Sequence, residues 1–323
     1  MNSRSNKSVS QEGNTEFPPP GLLGRLEEVL PEPNLAAFLN DEPVSSGHWL
    51  RVNTLKSSTA DVLRALQEAS IDCQASAWCP EAVFARENIR TLQEVGGWNE
   101  GTFHIQSPSS IAAGLALAPR PGERVLDMCA APGSKTSHLS AMMNNEGHLV
   151  ANDLSKARCH RLRSVLELLG AKAEVRVGPG ERIGRREPET YDRILVDAPC
   201  SGEGMMRAGD PKTYATWRPK TPSRLSSRQK SLLHSAIDAL KPGGTIVYST
   251  CTFAPEENEL VIERALKVYD GRIKLDVVEP ELPGRIPTCR HFRGKTLPER
   301  SHLVRLAPPE MDGFFLARLQ KIR

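Results

Sequence analysis

Long apolar runs are missing from this 323-residue chain, and no stretch approaches the roughly 18 consecutive apolar residues of a membrane-spanning helix. No membrane partner is therefore expected. The first residues lack both the apolar core of a signal peptide and the Arg-rich pattern of a transit peptide. Residues 1–20, ending in a Pro run, read as a disordered tail. Seven cysteines are irregularly spaced with no Cys-x-x-Cys pair, which signals neither a disulfide framework nor a zinc site and makes the cytoplasm the default compartment. No metal is expected. No Gly-x-Gly-x-x-Gly loop is present, which counts against a plain nicotinamide dehydrogenase. No internal repeat is visible, and a monomer is the expected state.

Charge is unevenly spread. Residues 1–110 hold 8 Lys and Arg against 14 Asp and Glu, whereas residues 111–323 hold 34 against 25. A basic C-terminal body of this kind fits contact with a polyanion. Residues 21–110 read as a small α+β unit: a helix over GLLGRLEEVL, a strand at LRVNT, and a helix whose apolar residues Val62, Leu63, Leu66 and Ala69 follow one face. From Arg124 onward, strands alternate with helices through RVLDMCA, HLVAND, AEVRV, RILVDA and TIVYST. That rhythm predicts a parallel sheet covered on both faces. FFLARLQ reads as a last strand.

In such a sheet, ligands bind at the carboxyl ends of the strands. Four turns there carry candidate chemistry. DMCAAPGSKTSH joins a strand to a helix, where backbone N–H groups meet a nucleotide-like ligand. Asp153 ends the next strand about twenty residues on, where a carboxylate can accept a ribose, or simply cap the following helix. Asp197 and Cys200 share the turn DAPCSG, and Cys251 ends VYSTCT. A lone cysteine is more often a packing residue. Two at one sheet edge read as a nucleophile and a helper.

CAAPGSKT, DAPCSGEGM, KPGG followed by VYSTCT, and MDGFFLARL together resemble the RNA (cytosine-5) methyltransferases of the Sun/nucleolar-protein family, as do RVNTLK and FHIQSPSS. The likeness covers about residues 35–320. It implies a Rossmann-like, seven-stranded class I methyltransferase domain over residues 111–323, preceded by a small α+β RNA-recognition-like domain over residues 21–110. It also implies S-adenosylmethionine as cofactor. Cys129, Ala130, Ala131, Pro132, Gly133, Ser134 and Lys135 would cradle it and Asp153 would hold its ribose, with Arg158, Pro179 and Asp197 completing the set. Cys251 would be the nucleophile and Cys200 the residue that assists product release. Asp197 and Lys135 would work at the target base. Three positions depart from the family's pattern: Ser134 and Pro179 stand where a glycine and an adenine-contacting acid are usual, and Thr252 replaces a serine.

The implied reaction needs a thiol because carbon 5 of cytosine is a poor nucleophile until a thiolate adds to carbon 6. The implied partner is RNA, ribosomal or transfer, presented single-stranded or with its base flipped out. Two basic stretches could meet its backbone. One runs from Met205 to Lys230, with Tyr214 and Trp217 as stacking rings, and the other from Arg285 to Arg305, with Phe292. A solvated surface is the plain alternative for both. A catalytically silent RNA-binding or ribosome-assembly factor on the same fold is the alternative function, favoured by Pro179 and opposed by the retention of both thiols. A methyltransferase for a protein or small molecule would have no need for the pair.

Overall fold

The computed structural model describes residues 17–40, 47–298 and 300–323. Of the segment read as a tail, residues 1–16 lie outside the described residues, while the Phe17 ring packs 5.2 Å from that of Tyr214. Two short helices come first, α1 (Leu23–Glu27) and α2 (Glu32–Leu39). Their apolar residues Leu22, Leu26 and Phe38 cluster with Met206, Tyr214, Trp217 and Phe253, so this helical pair packs on a part of the chain nearly 200 residues away.

A βαββαβ unit follows: β1 (His48–Val52), α3 (Thr59–Glu68), β2 (Cys73–Ala75), β3 (Ala82–Ala85), α4 (Ile89–Glu94) and β4 (Phe103–Ile105). Its antiparallel sheet has the order β2-β3-β1-β4, which is the ferredoxin-like topology. The Ser58 hydroxyl caps α3 by accepting from the Asp61 N–H. Val62 and Leu66 of α3, on the face the spacing predicts, meet Leu50, Val52, Val83 and Phe103 in the unit's own core.

The larger unit contains α5 (Pro108–Leu117), β5 (Arg124–Asp127), α6 (Ser134–Met142), β6 (His148–Asp153), α7 (Lys156–Leu169), β7 (Glu174–Val177), α8 (Ile183–Arg186) and β8 (Tyr191–Asp197). Then come α9 (Thr221–Ala239), β9 (Leu240–Thr250), α10 (Glu259–Val268), β10 (Ile273–Asp276), β11 (Arg285–Ile286), β12 (His291–Phe292), β13 (Lys295–Thr296), β14 (Val304–Leu306) and β15 (Phe314–Lys321). Strands β9-β8-β5-β6-β7 form the parallel part of the sheet. β15 runs antiparallel beside β9, and its far edge is shared end to end by β14 and β10. Counting that split strand once gives the seven positions of the expected class, with the two-residue β11 added outside β14 at the edge. The antiparallel side is what the strand–helix rhythm does not reveal.

Alternation along the strands divides the core. Leu126, Ile194, Val196, Ile246 and Tyr248 face α9 and α10, where Leu232, Leu233, Ala236 and Ile262 cover them. Their neighbours Val125, Leu195, Val247 and Leu316 face Ala112, Ala113, Ala116, Leu117 and Leu139 of α5 and α6. Each strand is thus apolar on both faces, as a sheet covered by helices requires. Polar residues are left for the strand ends, and there the site is built.

Candidate active site

A cleft of ≈ 390 Å³ opens at the carboxyl ends of β5, β8 and β9. Of the sequence-predicted residues, Cys129, Ala130, Ala131, Pro132, Ser134, Lys135, Asp197 and Cys251 line it. Cys200 lies directly behind Cys251, with the two sulfurs 3.2 Å apart. Asp153, Arg158 and Pro179 stand outside the cleft lining, on the side of β6 and β7.

The loop from Cys129 to Gly133 turns directly into α6. Gly133 has φ +118°, a left-handed conformation that a side chain strains, and a Cβ there would lie 3.0 Å from Leu162 Cδ1. The first N–H groups of α6 have no acceptor within the helix, and no side chain caps them. Asp153 is buried at the end of β6, and its carboxylate accepts from the Ala131 N–H (3.3 Å) and the Ser155 N–H (2.9 Å). Arg158 lies across it, 3.2 Å from Asp153 Oδ2, and also donates to the Ala131 carbonyl. Pro179 starts the short turn after β7, where no acidic side chain takes its place at that position.

Asp197 and Lys135 form an ion pair of 2.8 Å, and Ser249 Oγ donates to the other Asp197 oxygen at 2.7 Å. Burial pulls the Lys135 ammonium down, but the charge and hydrogen bond of Asp197 outweigh it, with Asp127 and Cys251 adding to the effect, and its pKa is raised. Lys135 also lies 5.8 Å from the centre of the Phe314 ring. The Cys200 thiol is pushed well above its ordinary value by its hydrogen bond with Cys251, then by burial and by the charges of Cys251 and Glu257. Cys200 is therefore a thiol at neutral pH.

Behind the two sulfurs, a buried polar net joins the two cysteine turns. Ser201 follows Cys200 and Thr252 follows Cys251, and their hydroxyls are 2.8 Å apart. Glu257, fully buried, accepts from the Ser201 N–H (3.0 Å), the Ser201 hydroxyl and Gln229 Nε2 (2.7 Å). Glu203 accepts from Thr252 Oγ1 and Trp217 Nε1, both at 3.1 Å. The threonine in place of serine thus keeps a hydroxyl that the net uses. Gly204 N–H donates to the Cys251 carbonyl (3.0 Å), and Gly313 N–H to the Gly204 carbonyl (3.2 Å). A Cβ on Gly204 would fall 2.1 Å from the Gly313 oxygen, so this backbone contact brings the DGFF segment, with Phe314, up to the cleft.

Sequence reasoning missed several residues here. Asp127 lines the cleft, is almost fully buried and accepts from Thr136 Oγ1, while its Oδ1 has no partner among the described residues. Burial, with Asp197 adding and the Thr136 bond opposing, pushes its pKa to about 7. Gln106, Ser107, Ser109 and Ser110 form the opposite wall. The signal for them was FHIQSPSS, a matched segment to which no role was attached. Glu203 and Glu257 sit within DAPCSGEGM and just after VYSTCT, where an acid reads as ordinary surface.

The stacking role expected of Tyr214 and Trp217 is corrected by their burial, at 2% and 3% exposure. They anchor α1 and α2 in an apolar cluster, and their rings cannot meet a base. Phe292 is likewise buried, and Arg305, at 1% exposure, is spent on Glu259. In the first stretch Arg228 is paired with Glu181 at 2.7 Å, while Lys212, Arg218, Lys220 and Arg224 remain at the surface.

A left-handed glycine turn, free N–H groups at a helix start, a strand-end carboxylate and an orphaned buried acceptor fit S-adenosylmethionine. With the sheet order, they define a class I methyltransferase. The chain belongs to the 16S rRNA methyltransferase RsmB/F family, whose model matches residues 114–320, and the ferredoxin-like domain of RsmF/B-like methyltransferases matches residues 19–90. It is 34% identical to the ribosomal RNA small subunit methyltransferase F of Serratia proteamaculans (strain 568), over 94% of this chain and 63% of that protein. The protein of the same name from Escherichia coli (strain K12) is also 34% identical, over 95% and 64%. The chain thus spans a little under two-thirds of the length of these relatives. Among solved structures, a methyltransferase homolog from Pyrococcus horikoshii is 32% identical with a TM-score of 0.78, covering 92% of this chain and 93% of that one.

Proposed function

We propose that this chain methylates carbon 5 of a cytosine in RNA, with Cys251 as nucleophile. The observation that carries this reading is the pair of thiols, 3.2 Å apart, beside the Lys135–Asp197 ion pair at one sheet edge. The relatives' names favour ribosomal RNA over transfer RNA. S-adenosylmethionine, when bound, supplies an electrophilic methyl group. The turn Cys129–Lys135 would hold it, and the buried Asp153 carboxylate would accept from its ribose hydroxyls.

The Cys251 thiolate adds to carbon 6 of the base, breaking the aromatic bond and placing electron density on carbon 5. Lys135 lines the same cleft as Cys251, so its ammonium is placed to offset negative charge that develops there. Asp197, held by Lys135 and Ser249, is positioned to accept from the base's N–H groups. Once carbon 5 carries the methyl group, its proton must leave and the carbon 6–sulfur bond must break. Cys200 holds its proton chiefly because of the Cys251 sulfur. Conversion of that sulfur to a thioether removes its charge beside Cys200, which gives up its own proton to solvent, and the Cys200 thiolate then takes the proton on carbon 5. Return of the electron pair expels Cys251 as thiolate.

The test is digestion of ribosomal RNA after incubation with the protein and isotope-labelled S-adenosylmethionine. Label in 5-methylcytidine supports the proposal, and label in any other nucleoside overturns it. Failure to bind the methyl donor would instead favour the silent scaffold and point to Pro179.

A further inference from the structure

Strand alternation gives the ferredoxin-like sheet two faces. Leu50, Val52, Phe103 and Ile105 turn towards its own core. Arg51 and His104, directly opposite one another on β1 and β4, turn the other way. In an isolated RNA-binding module that face would be open to solvent, and here it is not. Arg51 is 1% exposed, and it donates to Gln106 Oε1 and Ser137 Oγ, both at 2.8 Å. His104 Nε2 lies 2.9 Å from Ser134 Oγ.

Ser134 and Ser137 belong to the first turn of α6, and Ser137 Oγ donates back to the Ser134 carbonyl at 2.9 Å. The two ferredoxin-like strands therefore grip the turn whose N–H groups open the cofactor loop. Gln106 continues the tie to the other wall, donating to Ser110 Oγ at 3.1 Å, and Ser134, Gln106 and Ser110 all line the cleft. Burial, with the Arg51 charge adding, lowers the His104 pKa to about 4, so the imidazole is neutral at physiological pH.

We infer that the ferredoxin-like domain is a structural part of the methyl-donor site, and that His104 is a positioning residue that holds the cofactor loop through Ser134. A domain of this position and topology is otherwise read as a surface for RNA alone. On the present geometry, loss of the His104 contact frees the first turn of α6 to shift. The donor then has to order that turn on binding, and its affinity falls.

The test uses the full chain and S-adenosylhomocysteine, the demethylated product, titrated calorimetrically so that no catalysis is involved. His104→Ala and Ser134→Gly are each expected to weaken its binding about three- to tenfold, the range that one neutral hydrogen bond supports. The double variant is expected to lose no more than either single one, because both remove the same contact. His104→Gln, with an amide N–H in reach of the hydroxyl, restores part of the affinity. Binding of a mixed-sequence single-stranded RNA oligonucleotide, read by fluorescence anisotropy, stays within about twofold in all variants, since the contact is internal. Additive losses in the double variant, unchanged affinity in His104→Ala, or loss of RNA binding alone would overturn the inference. If His104→Ala fails to fold, the Ser134→Gly and His104→Gln pair decides. Absence of S-adenosylhomocysteine binding in the unaltered chain would overturn the methyltransferase reading as well.

Discussion

Glu257 offers a quantitative check on the net behind the two thiols. Its carboxyl is fully enclosed, and burial, only partly opposed by the bonds from Ser201 and Gln229, pushes its pKa from 4.5 to about 7. The folded protein therefore holds this proton where the unfolded chain has released it. Between about pH 4.5 and 7 the folded state binds more protons, so stability falls as pH rises across that window. The contribution is fully present below 4.5 and lost once the pH passes 7. The interval corresponds to about 3 kcal/mol. Glu257→Gln removes the titration but can keep the contacts: the amide oxygen accepts from the Ser201 and Gln229 N–H groups, and the NH2 donates to the Ser201 hydroxyl. Melting temperatures of both proteins, measured from pH 5 to 8, should converge or cross. The unaltered chain is expected to lose several degrees relative to the variant as pH rises. Parallel curves, or a gain for the unaltered chain at high pH, would refute the account of this carboxyl.

Two further variants probe the frame. Gly133→Ala places a side chain at φ +118° and 3.0 Å from Leu162 Cδ1, and calorimetric titration should show S-adenosylhomocysteine binding weakened by more than about tenfold. Arg305→Ala leaves the buried Glu259 carboxylate unpaired after removing a two-pronged contact of 2.5 and 2.6 Å, and should lower stability by about 3–5 kcal/mol in calorimetric unfolding.

The legible parts of the chain were those where a local pattern has one physical solution. An apolar run that stops at a small-residue turn, as in RILVDAPCSG, is met by a covered strand, which leaves Asp197 at its carboxyl end and Cys200 in the turn that follows. Val62 and Leu66 marked the buried face of α3 for the same reason. Tyr214 and Trp217 were misread because an aromatic among basic residues looks the same whether it points out at a base or in at Leu22 and Leu26. What buries them is a helix nearly 200 residues earlier, and no local window contains it. Glu203, Glu257 and Asp127 were passed over likewise, since a carboxyl becomes unusual only when distant segments close over it. His104 and Arg51 lie one residue from core positions on strands that alternate as expected. Their outward face is filled by α6 of the other unit rather than by water, which strand patterning alone does not decide.

The central claim is that Cys251 bonds to the base and that Cys200 lets it go. The most direct measurement is denaturing electrophoresis of Cys200→Ala, Cys251→Ala and the unaltered chain after incubation with labelled ribosomal RNA and S-adenosylmethionine. The account predicts an RNA–protein adduct that accumulates in Cys200→Ala and is absent in Cys251→Ala, which should also transfer no methyl groups. Full methyl transfer by Cys251→Ala, or an adduct that survives its loss, would contradict it.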